Sequence, residues 1–146
     1  MIWKPNVTVA AVIERQGRFL LIEERASRRL VLNQPAGHLE PDESLTAAVV
    51  RETLEETAYR FVPQALLGVY RWPHRNIVYL RFAFIGKVTR RDAKRELDHG
   101  IVRALWMTPQ EVRASTSRHR SPLVARCVDD YLAGKRYPLE LLAHYD

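Results

Sequence analysis

The sequence lacks the features of a secreted, disulfide-bonded or membrane-spanning protein. Cys127 is the only cysteine among 146 residues, so no internal disulfide can form. The apolar stretch near the amino terminus ends at Glu14, long before the roughly 20 residues that a spanning helix needs. No small-residue cleavage site follows that stretch. These absences predict a cytoplasmic protein with no membrane partner.

The chain also lacks internal repeats, low-complexity tracts and a recognisable linker. Hydrophobic residues make up 47% of the sequence, which is enough for one substantial core. We therefore expect a single domain over residues 1–146. The sequence does not define the oligomeric state, although a monomer is favoured over an oligomer.

A basic tail is missing too, although the net charge is +6. A basic surface attracts polyanions, but the arginines are scattered rather than gathered on one helix. Aromatic and basic residues do not alternate as they do in single-strand binders. The charge therefore indicates an anionic ligand without identifying it, and nucleic acid is not the expected partner.

Hydrophobic alternation predicts most of the strands. Residues 7–14 and 18–24 read as a hairpin around the Gln16-Gly17 turn. Pro63 is expected to end the helical segment described below, and three more strands are expected after it. The arginine-rich segment that follows Glu24, and the Pro-Ala-Gly after it, read as loop. The three later strands cover residues 65–72, 77–88 and 101–107.

Helices are expected between and after these strands, which gives an α+β fold. Ser44 is a natural N-cap for the segment SLTAAVVRETLEETA, whose apolar residues have a helical period. A short helix opens at Thr108-Pro109, where proline suits the first turn. Another opens at Ser121-Pro122 and ends near Gly134.

Three glutamates of the first helix form the clearest chemical signal. Glu52, Glu55 and Glu56 share one helix face at spacings of three and four residues. The carboxylates repel one another, and Mg²⁺, which prefers oxygen ligands, would relieve that repulsion. Arg51 could bridge them and fix their rotamers. Taken alone, the cluster could also be an ordinary solvated acidic face.

The surrounding segment, residues 37–59, resembles the Nudix box, G-x5-E-x7-R-E-U-x-E-E-x-G-U, where U is aliphatic. Gly37, Glu43 and the Arg51 to Glu56 run stand at the required spacings. Ala58 replaces the second glycine of the pattern, and Thr53 stands where an aliphatic residue is usual. A left-handed alanine would cost about 1 kcal/mol, so we expect a longer or differently ended helix there.

The resemblance extends over most of the chain, to the NudJ-type phosphatases of the Nudix superfamily. It implies an α/β/α sandwich with a mixed central sheet. It also implies hydrolysis of nucleoside di- and triphosphates and of thiamine-pathway pyrophosphates such as hydroxymethylpyrimidine pyrophosphate. The segments that carry the resemblance are WKPNVTVAAVIERQGRFLLIEE, LNQPAGHLEPDESL, YLRFAF, RSPLVARCV and GKRYPLELL.

The same resemblance implies roles for the box residues. Mg²⁺, for which Mn²⁺ could substitute, would be held by Glu52, Glu55, Glu56 and the Gly37 carbonyl. Glu43 and Arg51 would support the reaction. Glu52 is the favoured general base, but a later acidic residue is an alternative because the superfamily varies here. Asp98 and Glu96 are the candidates for that alternative, although both could simply balance nearby basic residues.

Candidates for substrate binding lie outside the acidic run. Arg28, in the loop before the box, and Arg81, on a strand, could clamp phosphate oxygens bidentately; Arg25 and Arg29 share that loop. His38 follows the box glycine, and Trp72 could stack on a base or pyrimidine ring. Ordinary alternatives are solvated loop charges and a core tryptophan.

Two competing functions stay open. A Nudix enzyme with a basic surface could remove pyrophosphate from RNA 5′ ends. A Nudix fold could also serve as a non-catalytic ligand-binding module, but such modules usually have degenerate boxes. Every box glutamate is present here, so an enzyme acting on a small phosphoanhydride is the favoured interpretation.

Overall fold

The computed structural model describes residues 1–145 of the chain. It contains seven strands, three α-helices and two short 3₁₀ turns at Thr116–Arg118 and Leu139–Leu141. The strands are β1 (Asn6–Arg15), β2 (Arg18–Ala26), β3 (Arg29–Asn33), β4 (Ala36–His38), β5 (Tyr59–His74), β6 (Ile77–Arg91) and β7 (Ile101–Met107). The helices are α1 (Leu45–Thr57), α2 (Pro109–Ala114) and α3 (Leu123–Leu132).

A mixed sheet in the order β3-β2-β1-β6-β5 forms the centre of the molecule. β1 runs parallel to β6 and antiparallel to β2 and β4, while β7 pairs antiparallel with β2. The long β5–β6 hairpin completes one edge. Since β1 pairs with β4 on one side and β6 on the other, it brings residues from distant parts of the chain into one row.

Side chains of the sheet alternate between two cores, one on each face. Val9, Ala11 and Ile13 pack with α1 residues such as Val49. Val12 faces the opposite way, into a core that includes residues of α2 and α3. This period of two is the one that a strand buried on both faces requires. The expected α+β class and the α/β/α layering with a mixed sheet are thus confirmed.

The loop predicted after Glu24 was wrong, because β3 and β4 lie within it. Both strands are short, and their formation depends on pairing with β2 and β1 rather than on a local pattern. The start expected for the third strand was also wrong. β5 begins at Tyr59, and Pro63 lies inside it at a shift of register, where a missing N–H is tolerated.

The prediction for α1 is confirmed at the start of the helix and wrong at its end. Ser44 caps the start as expected, since its side chain accepts a hydrogen bond from the Ala47 N–H. The expectation of a longer or differently ended helix was wrong. Ala58 ends the helix with φ +64°, in the left-handed region. The Asp92 N–H donates to the Ala58 carbonyl at 2.9 Å, and Ala58 is buried, so tertiary contacts hold the strained turn into β5.

Thr53, the other departure from the box pattern, is fully buried. Its hydroxyl donates to the Val49 carbonyl at 2.7 Å. The threonine thus satisfies its polar atom within the helix and presents a methyl group to the core.

Among residues 1–145, none of the helices is both long enough and apolar enough to cross a membrane.

Candidate active site

Gly37 brings the backbone of β4 against the carboxylate of Glu52 on α1. It pairs with Val9 of β1, which fixes its position in the sheet. A Cβ atom built at Gly37 would overlap the carboxyl group of Glu52. The glycine is therefore required by the close approach of a strand to a carboxylate.

Arg51 organises the acidic residues around it. Its Nε and Nη2 donate to the two oxygens of Glu43 at 2.9 and 2.6 Å. Its Nη1 donates to Glu52 and Glu55, both at 2.8 Å, while Nη2 also reaches the His38 carbonyl at 3.0 Å. One guanidinium thus ties α1 to the loop before it and to the end of β4. Glu43 acts on the site through Arg51, and this hydrogen bond lowers the pKa of Glu43.

Three carboxyl groups converge beside this arginine. Oxygens of Glu52, Glu55 and Asp98 lie within 4.8 Å of one another. Asp98 comes from the segment between β6 and β7, and its N–H donates to the Glu55 carbonyl at 2.9 Å. The structure therefore brings one of the two late acidic candidates to the box glutamates. Glu96, the other, is exposed and lies outside this group.

Glu56 is the most deeply buried box glutamate and occupies a separate position. Its Oε1 accepts a hydrogen bond from the Ala36 N–H at 2.8 Å, and it does not belong to the group of three carboxylates. Burial raises the pKa of Glu56 to about 9, with smaller contributions from Glu52 and Glu24. Burial also raises the pKa values of Glu52 and Asp98. Deprotonating this group is costly unless a cation compensates.

The donor set fits a hard divalent cation. Glu52, Glu55 and Asp98 supply only oxygen donors, which Mg²⁺ and Mn²⁺ prefer over nitrogen or sulfur. Their like charges help to raise the pKa of Glu52, and a bound cation would reverse that effect. Glu56 is close enough for its charge to act on the same group.

A cavity of about 760 Å³ opens next to these residues. Glu52, Glu56 and Gly37 line one side of it, and Trp72, with neighbouring aromatic side chains, lines another. Several basic side chains complete the lining. These are Arg29, Arg75, Arg81 and Arg120. The cavity therefore joins an acidic end to walls that are cationic and aromatic.

Arg81 lies at the buried surface of this cavity and is 6% exposed. It donates to Asn33 Oδ1 and Gln34 Oε1, both at 3.0 Å, and contacts Cys127 Sγ at 3.8 Å. Among the described residues it makes no ion pair with a carboxylate. Its guanidinium is thus held in place by two neutral amides.

Trp72 belongs to a row of three rings, which we call the aromatic stack: His74, Trp72 and Tyr79. The Trp72 and His74 rings are 4.7 Å apart and nearly parallel, at 12°. Trp72 and Tyr79 are cross-strand partners whose rings lie 5.5 Å apart at 24°. All three line the cavity, so this wall of the cavity is aromatic.

Of the other residues predicted to bind substrate, His38 lines the cavity and Arg28 does not. His38 lines the cavity and is exposed. Arg28 is exposed at the β2–β3 turn and lies outside the cavity lining, whereas Arg29, one residue later, lines it. Arg29 is held by a hydrogen bond to the Ser117 carbonyl at 2.7 Å.

Sequence reasoning missed several cavity residues. Glu24, on β2, is paired with Arg120 at 2.6 Å. Asn33 is the last residue of β3, Gln34 follows it, and both are buried. The two adjacent amides just before the box could have been recognised from the sequence as candidates for the cavity. Residues His119 to Ser121 could not, because their place at the cavity depends on how distant segments pack. Those three residues reach the cavity because the Arg120 N–H donates to the Leu32 carbonyl at 2.8 Å.

Comparison with known sequences gives a family and named relatives. The NUDIX domain family matches residues 3–127. The phosphatase NudJ of Escherichia coli strain K12 is 38% identical over 146 residues, which span 99% of this chain and 94% of the relative. NudJ of Shigella flexneri shows the same identity and coverage.

Comparison with solved structures agrees. A NUDIX hydrolase from Nitrosomonas europaea is 53% identical, with a TM-score of 0.95 over 97% of this chain and 98% of that one. A MutT protein from Methanosarcina mazei, 23% identical, has a TM-score of 0.74 over 92% of this chain and 99% of that one; at this identity the likeness concerns the fold alone. With the box residues assembled around Arg51, these matches show that the chain belongs to the Nudix family of hydrolases.

Proposed function

We propose that this Nudix hydrolase uses Mg²⁺, or Mn²⁺ in its place, to cleave phosphoanhydride bonds in small substrates. The substrates we propose are nucleoside di- and triphosphates and thiamine-pathway pyrophosphates such as hydroxymethylpyrimidine pyrophosphate. The observation that carries the metal dependence is the convergence of Glu52, Glu55 and Asp98 oxygens within 4.8 Å. The 38% identity to phosphatase NudJ supports the reaction type.

Glu52, Glu55 and Asp98 would hold the cation, with Glu56 and the Gly37 carbonyl beside them. When bound, the ion supplies charge neutralisation for the phosphate oxygens and a lower pKa for a water molecule. Glu56 keeps one oxygen on the Ala36 N–H at 2.8 Å, which leaves its other oxygen for the site. Asp98 thus joins the glutamates as a proposed ligand.

Glu52 is the proposed general base. Its carboxylate lies on the cavity wall, and Arg51 and the Gly37 backbone fix its position. Burial raises its pKa, and a cation nearby would favour the ionised carboxylate that a general base requires. Arg51 and Glu43 act as positioning residues, since they hold Glu52 and Glu55 by hydrogen bonds.

The cavity walls favour a small substrate over RNA. His38, Arg81 and Trp72 line the same cavity as Glu52, so we assign them to substrate binding. The cavity volume of about 760 Å³ falls within the range of small-molecule sites, about 300–1,000 Å³.

We further propose that the chain acts in the cytoplasm as a monomer, where its lone thiol, Cys127, stays reduced.

A phosphate-release assay over nucleotides, thiamine diphosphate and tripolyphosphate tests this proposal. Turnover should require Mg²⁺ or Mn²⁺ and stop with excess EDTA. Glu52→Gln should lower kcat by about 10²- to 10⁴-fold, as loss of a general base does. Glu140→Gln, the same change at an exposed position on the Leu139–Leu141 turn, is the matched control. Undiminished turnover in EDTA would contradict the proposed mechanism.

A further inference from the structure

We infer that helix α3, whose residues lie outside the cavity lining, positions Arg81 for substrate binding. Cys127 and Gln34 transmit the position of the helix to the guanidinium, and a hydrogen bond between Tyr70 and Asp130 holds the helix against β5. Tyr70, Cys127 and Asp130 are thus positioning residues that belong neither to the Nudix box nor to the cavity wall. This inference rests on the proposed function, because it takes Arg81 to bind substrate.

Two contacts connect the guanidinium of Arg81 to α3. Its Nη1 lies 3.8 Å from the Cys127 Sγ and donates to the Gln34 Oε1 at 3.0 Å. The Gln34 Nε2 in turn donates to the Val124 carbonyl, in the first turn of α3, at 2.9 Å. Because Val124 and Cys127 are three residues apart, they lie on the same face of the helix. A shift of α3 would therefore move both supports of Nη1 together.

These supports are shut off from solvent. Cys127 is 0% exposed and Gln34 is 1% exposed. Burial raises the pKa of the Cys127 thiol, although the nearby Arg81 charge opposes this effect, so the sulfur beside the guanidinium is a neutral thiol. A close-packed interior transmits small displacements, because it has few voids that could absorb them. The direction of the Arg81 side chain is therefore coupled to the position of α3.

Tyr70 connects α3 to the strand that pairs with Arg81. It lies directly opposite Arg81 in the β5–β6 pairing, so the two side chains project from the same face of the sheet. Its hydroxyl donates to the Asp130 Oδ2 at 2.7 Å, and Asp130 follows Cys127 by three residues on α3. Tyr70 is also close enough to Cys127 to affect the pKa of the thiol. The tyrosine thus fixes α3 at the point where the helix meets Arg81.

Asp130 is suited to hold the helix because its carboxylate is buried and surrounded by donors. It is 7% exposed, and besides the tyrosine it is contacted by Arg126 Nε at 3.0 Å and Lys135 Nζ at 3.2 Å. Burial opposes ionisation, but the bonds from Tyr70, Lys135 and Arg126 lower the pKa of Asp130. Hydrogen bonds to a charged acceptor are roughly twice as strong as neutral ones. The Tyr70–Asp130 bond is therefore a strong connection between β5 and α3.

A double-mutant cycle tests whether Tyr70 acts through Arg81. Tyr70→Phe removes only the hydroxyl and should raise KM for adenosine diphosphate by about 3- to 10-fold, as expected for coupled neighbours. The value of kcat should stay close to that of the wild type, because the effect is on binding rather than on the reaction. In an Arg81→Gln background, Tyr70→Phe should leave KM unaltered, since the group that it displaces is absent. Additive effects of the two changes on KM would overturn the inference.

Tyr131→Phe is the matched control for Tyr70→Phe. It removes a hydroxyl from α3 itself, one that donates to Glu14 of β1 at 3.1 Å. Both variants lose one hydrogen bond between α3 and the sheet, but only Tyr70→Phe should raise KM. A rise of KM in both variants, or in neither, would overturn the inference.

Cys127→Ala tests the contact between the helix and the guanidinium. It removes the sulfur that lies against Arg81, so KM should again rise by about 3- to 10-fold. Val128→Ala is its control, because Val128 is the next residue of the same helix and is buried in the same core. That change also leaves a cavity in the core and lowers stability, yet KM should stay near the wild-type value. A KM that follows the loss of stability across these variants would show a merely structural role and overturn the inference.

A spectroscopic measurement of Arg81 does not depend on turnover. In isotope-labelled protein, the Arg81 Nε–H resonance can be assigned as the one that Arg81→Lys removes. Tyr70→Phe and Cys127→Ala should shift or broaden this resonance, whereas Tyr131→Phe and Val128→Ala should leave it in place. An unchanged resonance in both Tyr70→Phe and Cys127→Ala would overturn the inference.

Failure of the proposed function has a different signature. Turnover would then be absent or independent of metal, or Arg81→Gln alone would leave KM unchanged. The Arg81 resonance would still report in each variant whether α3 sets the position of the guanidinium.

Discussion

At the residue scale, the site depends on how closely Gly37 approaches Glu52. Glycine is needed at position 37 for space rather than for backbone flexibility, because a side chain there would overlap the Glu52 carboxyl group. Arg51 holds the same carboxylate from the other side at 2.8 Å. Glu52 is therefore fixed between a strand backbone and a guanidinium before any ligand binds.

We predict that Gly37→Ala lowers kcat/KM by about 100-fold, the loss expected when a catalytic group moves by about 1 Å. The added methyl group must displace the Glu52 carboxylate. Steady-state kinetics with saturating Mg²⁺ measures the effect. Gly68→Ala is the control, because its methyl group would meet the Tyr70 side chain at 3.2 Å, away from the carboxylates. Near-normal turnover of Gly37→Ala would show that Glu52 has no positional role.

We predict that Glu56 makes the metal-free protein less stable as pH rises. The folded-state pKa of Glu56 is about 9, above its ordinary value of 4.5. Between these values the folded state binds one more proton than the unfolded state, so the free energy of unfolding falls with increasing pH. Thermal melts in chelator from pH 5 to about 9 should show a smaller decline for Glu56→Gln. Glu140→Gln should keep the wild-type slope, and identical slopes for all three proteins would contradict the assignment.

The spacing of the box was sufficient to predict Gly37, Arg51 and the glutamates as one group, because helix periodicity and one strand–helix contact bring them together. Asp98 could be nominated only as one of two acids, since its approach to Glu55 depends on the path between β6 and β7. The contact between Arg81 and Asn33 could not be predicted, because it requires two residues that are 48 positions apart to meet across the sheet.

At the scale of elements, the end of α1 shows tertiary structure overriding local preference. Ala58 adopts φ +64°, at a cost of about 1–2 kcal/mol for a residue with a Cβ. The adjacent hydrogen bond from Asp92 and the immediate start of β5 leave no room for a longer helix. β3 and β4 were not predicted because pairing with neighbouring strands, rather than a local sequence pattern, stabilises them.

We predict that Ala58→Gly changes activity by only a few-fold and stability by less than about 1 kcal/mol. Relief of the left-handed strain is offset by loss of a buried methyl group, worth about 0.8 kcal/mol. The box glutamates precede this position, and the Asp98 N–H is held by the Glu55 carbonyl at 2.9 Å, so the proposed metal site should keep its geometry. Urea denaturation and kcat measure the two effects. Ala58→Val, which adds a branched side chain to the same strained turn, should destabilise clearly. A large gain in rate for Ala58→Gly would show that the alanine already weakens the site.

At the scale of the whole molecule, charge is divided between the two sides of the cavity. Box glutamates line one side of the cavity, whereas Arg29, Arg81 and Arg120 lie on other walls. The cavity therefore offers positive charge to an anionic ligand within one site. A small anion can contact it there without a groove that follows a nucleic-acid backbone.

We predict that kcat/KM for nucleoside diphosphates and thiamine diphosphate changes little as salt rises through the physiological range. A substrate contacting one site releases few counterions, whereas RNA binding weakens steeply with salt. Triphosphorylated RNA should compete poorly in the same assay. Much faster processing of RNA ends than of any free nucleotide would contradict the small-substrate assignment while leaving the metal dependence intact.

The two sides of the cavity also come from different stretches of the chain. Gly37, Arg51 and the box glutamates fall within twenty consecutive positions of one another, whereas Asn33, Arg81 and the aromatic stack come from β3, β5 and β6. Mutations in those strands can therefore alter the other walls of the cavity while the box residues keep their contacts. This separation gives the fold a means of evolving new specificities, because selection can act on the strands without first repairing the chemistry.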